Sequence, residues 1–423
     1  MATVARTPRL VPALLRERPA FRRFWTGQTI SLLGDQFTLL ALPLVAVLAL
    51  DASPARMGFL EAAGLLPNLL FALHAGAWVD RHGQRRRVMI AADLGRAGLI
   101  ATVPLAAALG VLSFGQLYAV AFLTGTLSVL FMVAYSTLFI SLVPPERYVE
   151  ASSLLNGSRA MSFVGGRSLA GLLVKLLSAP VALLADAVSF LVSALCLGSI
   201  RPTEPPTEPR ARRLVSGGLG FLRRSPILLP QLAATTTINF FNYMFHALFI
   251  LYATRSLQVP PGTLGAVLGV AAVGSVLGSL VTGRLSRRIG IGPAFVLGCL
   301  LFPAPLMLVP LAGGHHWTVL TLLFLAQLGC GVGVMILDIT GGSIMAAIVP
   351  DQVRARVAGA FLLVNYGIRP LGSVAGGLLG QAIGLRPTLW IATAGAVAGV
   401  LWLLPSPVPR LRELPSAPPA TEP

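Results

Sequence analysis

The sequence predicts an all-α membrane protein, with twelve transmembrane helices in two six-helix, pseudo-symmetric bundles. Three observations predict it. More than half of the 423 residues are apolar, only 11% are charged and mean hydropathy is +0.80, too little polar surface for a soluble protein of this size. Twelve apolar stretches reach the roughly 20 residues that a hydrocarbon core of about 30 Å requires. The second half of the chain repeats features of the first.

The stretches run over 24–50, 55–79, 88–111, 116–142, 151–177, 179–200, 228–254, 263–283, 292–312, 317–348, 357–382 and 387–404. Backbone in lipid must satisfy its own hydrogen bonds, so each is read as a helix. Around them the chain divides into a basic N-terminal segment (1–23), a first bundle (24–200), a linker (201–226), a second bundle (227–404) and a tail (405–423). Arg9 to Arg23 reads as a basic amphipathic piece lying on the membrane surface. The linker holds "RPTEPPTEPRARR", and the proline-rich tail has the composition of a disordered segment.

The formal charge is +17, but the cations cluster between apolar segments and form no continuous basic face, which excludes a nucleic-acid partner. One set of alternate loops, with both termini, carries 24 arginines; the other carries Arg56, Arg255 and Arg386, with Lys175 near a span end. The positive-inside rule then puts both termini of a multi-pass membrane protein in the cytoplasm. Cys196, Cys299 and Cys330 lie far apart in apolar stretches and read as fillers, so no metal or disulfide is expected. His315 and His316 precede Trp317 in an outer loop and read as part of an interfacial belt.

At an offset of 207, Gly58 pairs with Gly265, Gly76 with Gly283, Arg81 with Arg288 and Gly83 with Gly290. "GAWVDRHG" thus recurs as "GRLSRRIG", with Arg287 in place of Asp80. "VPPER" before span 5 is echoed by "VPDQVR" before span 11, with Asn156 and Asn365 following in each. A duplicated six-helix unit suits a transporter whose halves rock about a shared site.

Polar residues at membrane depth mark that site. Span 1 puts Gln28, Ser31, Asp35 and Thr38 on one helical face, and span 7 does the same with Thr235, Asn239, Asn242 and His246. Both faces are expected to look into a central cavity. A carboxyl group facing a low-dielectric cavity takes up a proton more readily than one in water, and substrate or a nearby cation reverses this. Asp35 is therefore the first candidate for proton coupling, set against the plainer role of a permanently paired structural acid. Asp338 is the second, with Gln327 and Met335 on its face. In span 5, Arg159 and Arg167 lie near Asn156, and Arg369 follows Asn365 in span 11. Arginine keeps its proton, so two roles stay open: balancing Asp35 or Asp338, or binding an anionic substrate group. Asp93 and Arg96 read as a mutually neutralising pair, Glu61 as an entrance residue, and Asp186 as similar to Glu61. Phe240, Phe241, Tyr243 and Phe245 are candidate cavity walls.

Gly76, Asp80, Arg81, Gly83, Arg85 and Arg86 resemble the loop between helices 2 and 3 of the major facilitator superfamily. "LGDQ" in span 1, "DLGRA" in span 3 and "DAVSFLVSA" in span 6 look like the twelve-helix bacterial exporters of drugs, macrolides and siderophores. The resemblance implies the major facilitator fold. It also implies that Gly76, Asp80, Arg81, Gly83 and Arg85 form a latch closing the cytoplasmic side; the plainer reading is a positive-inside loop. In span 5, Arg167 stands where related antiporters often carry proline.

The expected function is export of an amphipathic small molecule by proton antiport with alternating access. Uniport, import or lipid movement on the same fold is the alternative. No nucleotide or hydrolase motif is present, so neither enzyme activity nor a cofactor is expected. The expected partners are a small-molecule substrate, protons and the lipid bilayer, and the expected state is a monomer.

Overall fold

The computed structural model describes residues 12–201 and 214–414. The remainder of the N-terminal segment, most of the linker and the end of the tail lie outside these residues, as do the side chains of Asp80 and Arg81. The first half begins with a short helix α1 (Ala13–Glu17). It continues through α2 (Pro19–Leu48), α3 (Pro54–His82), α4 (Arg85–Ala108), α5 (Phe114–Leu142), α6 (Tyr148–Leu176) and α7 (Ala179–Gly198). After α8 (Leu214–Arg224) the second half holds α9 (Leu228–Arg255) and α10 (Pro261–Ile289). The next span is broken: α11 (Ile291–Leu301) gives way to a 3₁₀ turn at Ala304–Met307 and then α12 (Leu308–Leu311), because Pro303 and Pro305 cannot donate to a helix ladder. α13 (His316–Ile348), α14 (Asp351–Ile383) and α15 (Leu385–Ala398) complete the set.

All twelve expected spans are helical. Eight are long and apolar enough to cross a membrane by composition alone. Of the others, α15 is short, while α3, α6 and α9 carry polar residues that turn out to line cavities. The helices begin where local chemistry stops the chain. Ser53, Ser113 and Ser178 accept the N–H groups of Arg56, Gln116 and Val181 and so satisfy free donors at the starts of α3, α5 and α7. Gly83 (φ 64°) and Gly290 (φ 96°) both take positive φ after α3 and α10, which favours glycine at the two related positions, although only Gly83 has the left-handed helical geometry.

Departures from the sequence reading fall outside the spans: the described start of the tail is ordered, with Val408 buried in a core cluster, and the basic segment departs as well. α2 begins at Pro19, and Leu14 and Leu15 just before it are buried against Phe21 and Phe24. This part of the basic segment is therefore packed into the bundle. Its arginines have structural work too. Arg23 donates to the carbonyl of Ser199, and Arg86 donates to the carbonyls of Leu197 and Gly198, at 2.5–2.8 Å. These cations cap the C-terminal end of α7, where the helix dipole favours positive charge.

Within each half the helices pack on one another. Across the halves, α3 meets α14 and α6 meets α10. Both meetings use glycine. A Cβ at Gly58 would lie 2.8 Å from the Cα of Gly377, and one at Gly265 would lie 2.7 Å from the Cα of Gly171. Gly58 and Gly265 are the repeat-related pair, so the seal is two-fold. Toward the other ends of these same helices the halves part: a Cβ at Gly76, Gly157 or Gly359 would meet nothing within 4 Å, and one at Gly283 only its own Arg287. Gly58 and Gly76 are about 27 Å apart along α3. The hydrophobic cores agree. One cluster joins both halves at the sealed end, including Leu44, Ala170, Phe249 and Leu264. At the end bearing the described termini each half keeps its own clusters. Asp51 and Arg255 pair across the sealed end; being exposed, the pair contributes at most about 1 kcal/mol.

The two repeated turns have different surroundings. At the second, the N–H groups of Ile291 and Gly292 donate to the carbonyls of Arg412 and Leu411, so the segment after α15 is strapped to it. At the first, a Cβ at Gly76 has free space in this conformation, with the halves apart.

Candidate functional site

The polar face of α2 lies against the interior of the first half. Asp35 and Thr38 line a cavity of about 400 Å³ between α2, α3, α4, α5 and α7. Gln28, Ser31 and Asp35 line a smaller one of about 110 Å³, reached by Arg159 from α6. Asp35 and Arg96 line both. Among the described residues the Asp35 carboxyl has no hydrogen bond or ion pair. Thr38 donates to Asp186, which also accepts from Ser189 at 3.0 Å. Asp186 reaches α2 because Gly34 leaves room: a Cβ there would sit 2.5 Å from its Oδ1.

Arg96 is fixed from four sides. It pairs with Asp93, donates to Ser128 Oγ at 3.4 Å, and lies over the rings of Phe131 (4.5 Å) and Phe190 (4.1 Å). The expected pairing of Asp93 with Arg96 is present, and the same guanidinium also borders the cavities of Asp35. Asp93 is fully buried and Arg96 is 4% exposed, so removing one charge strands the other. Arg96→Leu is expected to cost about 3–5 kcal/mol, read as a lowered thermal unfolding midpoint in detergent; an unchanged midpoint would refute that role.

α2 is tied to α6 by a polar ladder. Trp25 donates to the Leu154 carbonyl, Thr29 to Ser158 Oγ at 2.9 Å, and Arg167 Nε to Gln36 Oε1 at 3.3 Å. The second half repeats this between α9 and α14. Asn239 donates to Asn365 Oδ1 at 3.0 Å, and Arg369 to the Tyr243 hydroxyl at 3.1 Å. Gln36 and Tyr243 are again related by the offset of 207. Arg369 also lies 3.7 Å over the Tyr366 ring. Neither Arg167 nor Arg369 is within ion-pair distance of Asp35 or Asp338. Asn156 and Arg159 are exposed on α6 and Asp338 on α13, while Asn242 and Gln327 are buried.

Between the halves, beneath the seal, lies a third cavity of about 240 Å³. Glu61, Arg167, Tyr243 and His246 contribute its polar groups, with Leu39, Pro43 and Phe249 among its walls. Of the four aromatic candidates, Tyr243 lines it; Phe245 is buried and stacks on Phe249, Phe240 backs Gly372 and Phe241 backs Gly395. Glu61 and Asp186, set aside on sequence grounds, both line cavities, and Glu61 borders two. Their signal was present as ionisable groups within spans. Gln36 and Phe249 carried no signal that separates a cavity wall from packing.

A sequence profile described as the Major Facilitator Superfamily matches residues 24–366 and, in a second match, 232–423. The chain belongs to the major facilitator superfamily. It is therefore a multi-pass membrane transporter, in a family of transporters and not of enzymes. Among its relatives within the superfamily is the MFS-type transporter YfiS of Bacillus subtilis, 27% identical over 386 residues and covering 87% of this chain and 90% of that one. Another is the multidrug efflux pump Tap of Mycolicibacterium fortuitum, 28% identical over 414 residues and covering 90% and 93%. Solved structures share the major facilitator fold. A bacterial homologue of the iron transporter ferroportin in the inward-facing state has a TM-score of 0.75 at 17% identity, covering 92% of this chain and 98% of that one. The nucleoside transporter NupG has a TM-score of 0.74 at 11% identity, covering 90% and 97%.

Proposed function

We propose that the protein exports an amphipathic small molecule across the bacterial inner membrane by proton antiport, acting as a monomer with both termini in the cytoplasm. The observation that carries this reading is Asp35, an unpartnered carboxyl bordering two cavities of the first half, with the fixed cation Arg96 beside it in both. A carboxyl so placed can exchange a proton without breaking any pair of its own. The bias of arginine toward the end with the termini supports a cytoplasmic opening in this conformation, and the likeness to a multidrug efflux pump supports export.

In this reading substrate enters from the cytoplasm, between halves that part at that end, while Asp35 is deprotonated. Closure there and opening of the glycine seal expose the site outward. Proton uptake by Asp35 then releases substrate, and proton loss toward the cytoplasm resets the carrier. Asp338 is a second proton-coupling candidate. Gln28, Ser31, Asn156, Arg159, Arg167, Asn239, Asn242, His246, Gln327, Asn365 and Arg369 are candidate cavity residues, and the Gly76–Arg85 loop is the latch of the closed cytoplasmic side. Everted vesicles, whose cytoplasmic face is outward, test the coupling when a fluorescent amphipathic dye is supplied in the medium and its accumulation inside is followed. Transport energised by a proton gradient is expected to collapse when a protonophore is added. Transport indifferent to the protonophore would sink antiport and leave uniport on the same fold.

A further inference from the structure

We propose that the substrate is a zwitterionic amphiphile, its cationic group received by Glu61 and its acidic group by Arg167. The inference rests on the transport reading above and adds to it the charge pattern of the molecule carried.

Glu61 and Arg167 border the same 240 Å³ cavity from α3 and α6. Opposite charges in a site of low dielectric attract strongly, yet no ion pair or hydrogen bond joins these two. Each is held in place by the fold. Glu61 lies one helical turn from Gly58, whose backbone is pressed against α14. Arg167 lies one turn from Gly171, its own carbonyl is 2.5 Å from where a Gly265 Cβ would be, and α10 blocks its backbone there. Its guanidinium is held by Gln36 and by the Phe163 ring, 4.5 Å away. The neutral amide of Gln36 satisfies one donor and leaves the charge uncompensated.

The remaining lining is selective in the same way. A cation without an acid would meet Glu61 but face Arg167 across the cavity; an anion without a base would meet Arg167 but face Glu61. Either gains one pair and sets its charge against a wall group of its own sign, where a molecule bearing both charges gains two pairs. A molecule bearing both charges satisfies both walls. Leu39, Pro43 and Phe249 supply apolar surface for its body, and the parting of the halves beyond the cavity leaves space for the part that 240 Å³ does not hold.

The test uses the purified full-length chain in detergent at neutral pH, and two dyes that differ in one group. Rhodamine B carries a delocalised cation and a carboxylate; its ethyl ester keeps the cation and loses the acid. Fluorescence anisotropy is expected to show rhodamine B binding at least about tenfold tighter than the ester. Arg167→Gln should erase that preference by weakening rhodamine B while leaving the ester unchanged or tighter, Arg167→Lys should retain it, and Glu61→Gln should weaken both dyes. Equal or tighter binding of the ester to the unaltered protein overturns the proposal, as does the failure of rhodamine B to bind. Equal weakening of both dyes by Arg167→Gln assigns Arg167 a structural role and overturns it as well. If Arg167→Gln does not fold, the unaltered protein's ratio and the Glu61→Gln result decide. Binding in detergent needs no gradient, so protonophore-resistant transport in vesicles would end the antiport reading while leaving this one standing.

Discussion

Asp35→Asn is expected to abolish gradient-driven efflux while leaving a folded protein in the membrane. The substitution keeps the shape of the side chain and removes its proton chemistry. Because the Asp35 carboxyl has no hydrogen bond or ion pair among the described residues, the change breaks no contact that holds α2 to α4 or α7. One charge moved across 100 mV is worth about 2.3 kcal/mol, or roughly a 50-fold accumulation ratio, and that factor should vanish. Substrate exchange in the absence of a gradient should continue, since it needs the cavities and the rocking of the halves but no proton. Efflux and counterflow measured in the same everted vesicles separate the two. Protonophore-sensitive efflux that persists in the variant would move the coupling site away from Asp35, with Asp338 next.

Gly265→Leu should unseat the closed end. A Cβ there already meets the carbonyl oxygen of Arg167 at 2.5 Å and the Cα of Gly171 at 2.7 Å, and both belong to a helix backbone that has no rotamer to change. Overpacking of this kind costs roughly 1–3 kcal/mol, which corresponds to a shift of about 5- to 150-fold against the sealed conformation. Spin labels on Asp51→Cys and Arg255→Cys, with the three native cysteines replaced, report the result as a distance. It should lengthen in Gly265→Leu and stay unchanged in Gly157→Leu, where the added side chain meets nothing nearby. Equal distances in the two variants would contradict the seal. Gly58→Leu should copy Gly265→Leu, since it stands at the related position against Gly377.

Most of the fold was legible because the bilayer imposes a length on every apolar segment, and twelve such lengths were present. The repeat was legible from glycines with a backbone duty, Gly83 and Gly290, which both adopt positive φ. The ends of helices were less legible. Nothing in "LLRERPAF" separates a surface-lying basic piece from residues packed into a bundle, and only tertiary contact buries Leu14 and Leu15. At the site, periodicity grouped Gln28, Ser31, Asp35 and Thr38 correctly on one face, because a helix fixes which residues share a side. It did not say what that side meets. The face looks into the interior of its own half, whereas His246 on α9 reaches the space between halves. Glu61 was misjudged by its depth: about 10 Å into α3 by helix rise looked like an entrance, but in this conformation that end is shut and the position lies directly under the seal.

A joint made of glycine backbones also determines how readily it comes apart. Lipid tails are as apolar as leucine, so helices in a bilayer associate through close packing and not through the expulsion of water. At Gly58–Gly377 and Gly171–Gly265 there are no side chains to reorder, and no charge must shed or regain its hydration when the helices separate. Attraction of this type falls off within an ångström or so of contact. The closed end should therefore behave as a catch with a short throw, either fully engaged or released, and this all-or-none character would give the carrier two well-separated states with few intermediates.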